Sequence, residues 1–155
     1  MPVIYETGGV EFLDRIQGMW ERLNAYQAEV SPDFPDTFKG RTMDSRRARW
    51  VASGVNGLRI RMAVQDGKDL GYCLSFIGAK MDGVLESLFV DDSLRGQGVG
   101  LALSRDALDW FRERGAKSVD LEVTVGNDHA KGFYEKLGFR PFKLTMRLKQ
   151  EASAG

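Results

Sequence analysis

Apolar residues recur at helical spacing from Val10 to Val30. Phe12, Ile16, Met19, Trp20, Leu23 and Tyr26 fall on one stripe, which predicts one long amphipathic helix. Two prolines in SPDFPDTF (31–38) end it. Residues 42–53 predict a second, basic helix, capped by Thr42 or Asp44, with Met43, Trp50 and Val51 turned inward. The period then changes. LRIRMAVQ (58–65) alternates, and LGYCLSFIGAK (70–80) and GVLESLFV (83–90) are further strand candidates. Each is preceded by an Asp-Gly pair (DGKD, MDG) suited to a tight hairpin, so 58–90 is expected as an antiparallel meander. A short strand over Val3–Glu6 precedes the first helix. Gly98–Arg114 is expected as a helix, with Val99, Leu103, Ala107, Trp110 and Phe111 inward and Gly115 as its stop. SVDLEVTV (118–125) follows as a strand and Asp128–Leu137 as a shorter helix ended by Gly138. Phe139–Lys149 is a last extended stretch, and EASAG (151–155) a frayed, disordered tail. The order β-α-α-β-β-β-α-β-α-β describes an α/β (α+β) chain. Its crossover from 84–90 through 98–114 to 118–125 places one parallel pair in a mixed, mostly antiparallel sheet flanked by helices.

At 155 residues the chain is expected to form a single domain over 1–150. Its 22 basic and 22 acidic residues cancel, so no global field draws nucleic acid or an anionic membrane. The single cysteine, Cys73, excludes an internal disulfide and a cysteine-rich metal site, and fits a reducing compartment. No His/Cys/Asp cluster has metal-ligand spacing. The N-terminus lacks a signal-peptide pattern and no run has the apolar length of a membrane span. These features together make a cytoplasmic protein the expectation.

SLRGQGVGLALSRDAL (93–108) concentrates glycine at 96, 98 and 100 where a strand gives way to a helix. The first N–H groups of a helix lack internal partners, and the helix dipole adds positive character there. Without side chains in the way, that backbone can cradle a phosphate or pyrophosphate, whereas the bland alternative is a turn with no ligand. A Walker A loop is excluded because Leu101, not Lys, follows Gly100. A dinucleotide fingerprint is excluded because its third glycine is Leu101 or Leu103.

Together with NDHAKGFYEKLGFR (127–140), the stretch LFVDDSLRGQGVG resembles the GCN5-related N-acetyltransferase (GNAT) superfamily at motif level over roughly 84–140. Arg95-x-x-Gly98-x-Gly100 matches the family's pyrophosphate loop, and Asn127-x-x-Ala130-x-x-Phe133-Tyr134-x-x-x-Gly138-Phe139 its last motif. Asp92 departs from the proline many members carry, which touches loop shape only. The resemblance implies direct transfer of an acetyl group from acetyl-CoA to a primary amine of a small molecule or peptide, with no metal. It implies that main-chain N–H groups of Arg95, Gly96, Gln97, Gly98, Val99, Gly100 and Leu101 hold the CoA diphosphate. Leu88, Phe89 and Val90 would pair with the pantetheine arm, and Glu122–Val125 would line the far wall of an acyl slot. An N–H near Phe89 would face the developing oxyanion. Tyr134 sits at the family's acid position; its alternative is a core tyrosine. Asn127 would bridge to pantetheine, or serve as a helix cap, or both.

An acceptor amine must lose a proton, and Glu86 is the candidate base, with Glu122 second. Four residues before Val90 on a strand, Glu86 is expected to share its face. A surface charge paired to a lysine is its alternative. His129, the one histidine, reads as solvated, and Cys73 as a small buried hydrophobe. Lys39, Arg41, Arg46, Arg47 and Arg49 form a basic patch. A solvated face is the preferred reading, and an acidic substrate group or the CoA 3′-phosphate the sharper one. Phe34, Phe38, Trp20 and Tyr26 are candidate walls of an acceptor pocket. A non-catalytic acyl-CoA sensor is the alternative function, and an exposed strand edge leaves a homodimer open.

Overall fold

The computed structural model describes residues 1–150. Among them the chain forms strands β1 (Ile4–Gly8), β2 (Leu58–Gln65), β3 (Lys68–Ile77), β4 (Asp82–Val90) and β5 (Ser118–Asp120). The helices are α1 (Leu13–Val30), α2 (Pro35–Lys39), α3 (Met43–Ser53), α4 (Val99–Glu113) and α5 (Asp128–Lys136). The sheet order is β1-β2-β3-β4-β5, antiparallel throughout except for the parallel β4–β5 pair. The expected meander and crossover are both present. The EASAG tail lies outside the described residues.

The two hairpins differ. Asp66 and Gly67 both take positive φ, 52° and 76°, as a two-residue mirror-type turn requires. The second Asp-Gly pair is not a turn. Gly83 is already paired with Ile77, and the chain reverses at Gly78–Met81, with the positive φ on Met81. Asp82 organises that loop: its carbonyl accepts from Gly78 N–H at 2.8 Å and its carboxylate from Lys80 N–H at 3.2 Å.

Helices cover both sheet faces. Ile60, Met62, Tyr72, Leu74 and Phe76 pack under Leu13, Ile16 and Trp20 of α1 and Trp50 of α3. Ala63, Cys73, Ile77 and Leu85 pack under Val99, Leu103, Ala107 and Phe111 of α4. Burial on both sides explains why 70–80 shows little polar alternation: β3 is buried without a break from Gly71 to Ile77. Thr42 caps α3 by accepting from Ser45 N–H, as expected. Tyr26 and Val51, expected inward, are 42% and 49% exposed. The buried stripe of α1 instead passes through Leu23 to Ala28, and Val51 lies about 100° round the helix from buried Trp50.

Three further differences matter. Pro35 starts the short helix α2 inside the segment read as a break, a first-turn position where its missing N–H costs nothing. The strand expected over 118–125 stays in the sheet only as far as Asp120. Phe139–Lys149 joins no strand, and Phe142, Leu144, Met146 and Leu148 are each at least 75% exposed. Its alternation fits a half-covered strand, but the edge strand on that side, β5, is only three residues long and offers little to pair with.

The C-terminus of α1 is locked to the turn that leads into α5. Gly126 has φ 99°, and a Cβ there would collide with the Val30 carbonyl oxygen. Gly126→Ala is expected to cost about 1–2 kcal/mol for the left-handed backbone alone, and more to relieve that contact. A urea midpoint equal to that of the native chain would contradict this close approach.

Candidate active site

Parallel pairing of β4 with β5 ends at Val84 and Asp120. Beyond it the strands part, and β4 keeps an open edge from Leu85 to Val90. A bulge lies on the same stretch. Leu74 pairs with Ser87 and Ser75 with Leu85, so Glu86 has no cross-strand partner. The bulge resets the strand's alternation. Glu86 accepts a hydrogen bond from Trp50 Nε1 at 3.0 Å on the α1/α3 face, whereas Val90 packs in the α4 cluster. The expected shared face of Glu86 and Val90 is thus corrected. Asp91 N–H donates to Leu70 C=O. Antiparallel alternation then turns the main-chain groups of Phe89 toward β3 and those of Leu88 and Val90 to the open edge. The N–H groups on the open edge near Phe89 are those of Leu88 and Val90, while that of Phe89 itself faces β3.

The open edge leads directly to the glycine run. Gly96 and Gly98 have φ 78° and 74°, and a Cβ on either would meet nothing within 4 Å, so the backbone here faces open space. Arg95 N–H donates to Asp92 C=O and its side chain pairs with Asp92 at 2.9 Å, which removes that N–H from the expected cradle. The next six N–H groups, Gly96 to Leu101, have no acceptor among the described residues, and the first helical bond is Ala102 to Gly98. Gly98 is the N-cap of α4 and supplies no side chain; the first turn carries no acidic residue. The positive end of a 15-residue helix is therefore uncompensated. Gly100 sits against Phe133 and Val90, which brings α5 and the end of β4 to the same mouth.

Tyr134 packs between Phe133 and Phe139, with ring centroids 5.2 and 5.9 Å away, on the α4 side of the sheet. Burial, and then Cys73 nearby, hold its phenol pKa well above the ordinary range. Burial likewise pushes the Cys73 thiol up to about 12, as fits an inert core residue. Asn127 caps α5 by accepting from Ala130 N–H through Oδ1, which leaves its amide NH₂ unused. His129 is exposed.

On the opposite face, a cavity of about 190 Å³ lies between α1, α3 and residues 122–124. Trp20, Phe38, Glu86 and Glu122 line it, as do Arg41, Arg46 and Arg49. Phe34 and Tyr26 do not. Arg47 and Lys39 leave the basic patch for ion pairs with Asp14 and Asp36. An adjoining open trough of about 570 Å³ shares Arg49, Glu86 and Glu122.

A family model described as Acetyltransferase (GNAT) family matches residues 23–139. The chain belongs to the GNAT family. It is 37% identical over 70 residues to N-alpha-acetyltransferase 30 of Schizosaccharomyces pombe, covering 45% of this chain and 47% of that protein. It is 35% identical over 77 residues to a putative ribosomal protein bS18-alanine N-acetyltransferase of Bacillus subtilis, covering half of each. The chain thus aligns with about half the length of the curated relatives it matches. A putative acetyl transferase from Pyrococcus furiosus superposes with TM-score 0.73 at 23% identity, covering 94% of this chain and 99% of that one. An aminoglycoside N-acetyltransferase in complex with CoA superposes with TM-score 0.68 at 16% identity, over 97% and 96%. These two likenesses establish the GNAT fold.

In this GNAT chain Trp50 and Arg22 gain roles the sequence did not mark. Trp50 orients Glu86 across 36 residues of chain. Arg22 Nη1 reaches Asp91 Oδ1 at 2.7 Å and its guanidinium stacks over Phe89, tying α1 to the entrance of the glycine turn. No periodicity signals such pairs. Arg22, then Ser93, hold the Asp91 carboxyl down at about 2, below its ordinary 3.8. A depressed carboxylate stabilises the fold above its unfolded pKa and loses that contribution as pH falls through the folded one. Asp91→Asn is therefore expected to lower stability at pH 5–7 and to converge with the native chain near pH 2. Parallel pH–denaturation curves would contradict the Arg22 pairing.

Proposed function

We propose that this chain moves the acetyl group of acetyl-CoA directly to a primary amine. The observation that carries the reading is the continuity of six unpaired N–H groups, Gly96–Leu101, with the open edge of β4 at Val90 and Leu88. A diphosphate fits the first and an extended amide-bearing arm the second, by anion binding at a helix mouth and by strand addition. The N-acetyltransferase names of the relatives point the same way.

Acetyl-CoA supplies an activated thioester. The chain's own groups do the rest. Gly96–Leu101 N–H groups hold the diphosphate. Val90 main-chain groups align the arm, and Leu88 N–H donates to the thioester oxygen as negative charge grows there. Asn127 has an amide NH₂ free to donate to the arm. Tyr134 carries its proton at neutral pH as any phenol does, burial raises its pKa further, and it gives that proton to the departing sulfur. The desolvation that raises the phenol also raises a thiolate beside it, as at Cys73, so the two groups stay matched. Glu86, held by Trp50, takes the proton of an amine whose ordinary pKa is near ~10.4. Acid and base lie on opposite faces of the sheet, and in this reading the thioester passes between them at the gap between β4 and β5. That arrangement suits transfer in one step, without an acyl-enzyme.

CoA is expected to raise the melting temperature while ATP and NADPH do not, and acetyl-CoA with an amine panel is expected to release thiol. Stabilisation by ATP alone would sink the reading. CoA binding with no thiol released by any amine would favour an acyl-CoA sensor. Tyr134→Phe is expected to lower kcat by about 10²-fold while CoA affinity changes by less than about twofold.

A further inference from the structure

Arg41, Arg46 and Arg49 converge on the 190 Å³ cavity that also holds Glu86. Among the described residues none of the three guanidinium groups has an ion-pair or side-chain hydrogen-bond partner, although Arg47 and Lys39 from the same segment find carboxylates. The Arg41 guanidinium lies over the Phe38 ring, 4.5 Å from its centroid, and both side chains line the cavity. Burial, followed by the neighbouring guanidiniums, depresses the proton affinity of Arg41 and Arg46, with Glu86 and Glu122 acting in the opposite sense. Half-buried like charges of this kind are costly unless an anion joins them.

We propose that the acceptor is a small primary amine that carries its own carboxylate or phosphate, with the anion on Arg41 and Arg46 and the amine beside Glu86. This rests on the acetyl-transfer reading above for its amine half. Three cations and two carboxylates leave the lining with one net positive charge. That surplus favours an acceptor with an anionic group. Guanidinium pairs bind either oxyanion through forked donors, so carboxylate and phosphate share the chemistry. The cavity volume matches the head of a small molecule, and the open trough alongside accommodates whatever extends beyond it.

Trp20 and Trp50 line the cavity, so tryptophan fluorescence of the CoA-loaded protein reads binding without turnover. The probes are 5-aminopentanoate, O-phosphoethanolamine, pentylamine and 1,5-diaminopentane. At least one anionic amine is expected to bind at least about tenfold more tightly than pentylamine, the scale of a charge-assisted hydrogen bond. Preference for 5-aminopentanoate assigns the carboxylate source, and preference for O-phosphoethanolamine the phosphate source. In an Arg41→Gln/Arg46→Gln protein of unchanged melting temperature, the preference is expected to fall toward one. Arg41→Lys/Arg46→Lys, which keeps the charge and folds independently of the Gln variant, is expected to restore part of it. Pentylamine or the diamine binding as tightly as both anionic probes overturns the proposal, as does a preference unchanged in the Gln protein. Selective binding of an anionic probe without thiol release supports this site and counts instead against acetyl transfer.

Discussion

The parting of β4 from β5 after a single short run of parallel pairing is the constraint on which the rest of the molecule depends. Three register pairs hold the strands together, and then the ladder stops. Had it continued to Val125, the main-chain groups of Leu88 and Val90 would be consumed within the sheet. The six free N–H groups at the mouth of α4 would then have no path to the interior. The gap leaves the β4 edge open up to the glycine-rich turn. The rest of the fold serves to hold it open: α4 on one face, α1 and α3 on the other, and Gly126 fastening the chain after β5 to the end of α1.

The two faces are electrostatically distinct. On the α4 side the surroundings of Tyr134 and Cys73 are apolar and burial raises both pKa values, while the charges of that face, Arg59 and Arg61 with Asp106, are paired to one another. On the α1/α3 side guanidiniums and carboxylates crowd a small volume. In the proposed reaction this division sets the proton donor on one side of the gap and the acceptor's charge recognition on the other.

Much of this was legible in the residues. The helical stripes of α1 and α4, the alternation of β2 and the glycine stops at 115 and 138 reflect local preferences that tertiary packing leaves intact. The glycine run was legible because positive φ and bare backbone have few other uses. What escaped depends on pairing between distant segments. The bulge at Glu86 exists only in the register of β3 against β4, so strand parity counted from the sequence turned that side chain to the wrong face. The early end of β5, the turn at Gly78–Met81 and the spent N–H of Arg95 likewise follow from partners that spacing does not name. The basic segment 39–49 read as one patch, yet the fold sorts it into paired and unpaired cations according to which carboxylates come within reach.

The bulge has one more implication. A residue inside a ladder answers to its cross-strand neighbour, and changing it disturbs the strand beside it. The residue at 86 is excused from that obligation, so its side chain can be traded for another while the backbone architecture around it persists. The open edge and the glycine turn are thus built from main-chain atoms, whereas the cavity beside Glu86 is lined by side chains, so the second can change while the first persists.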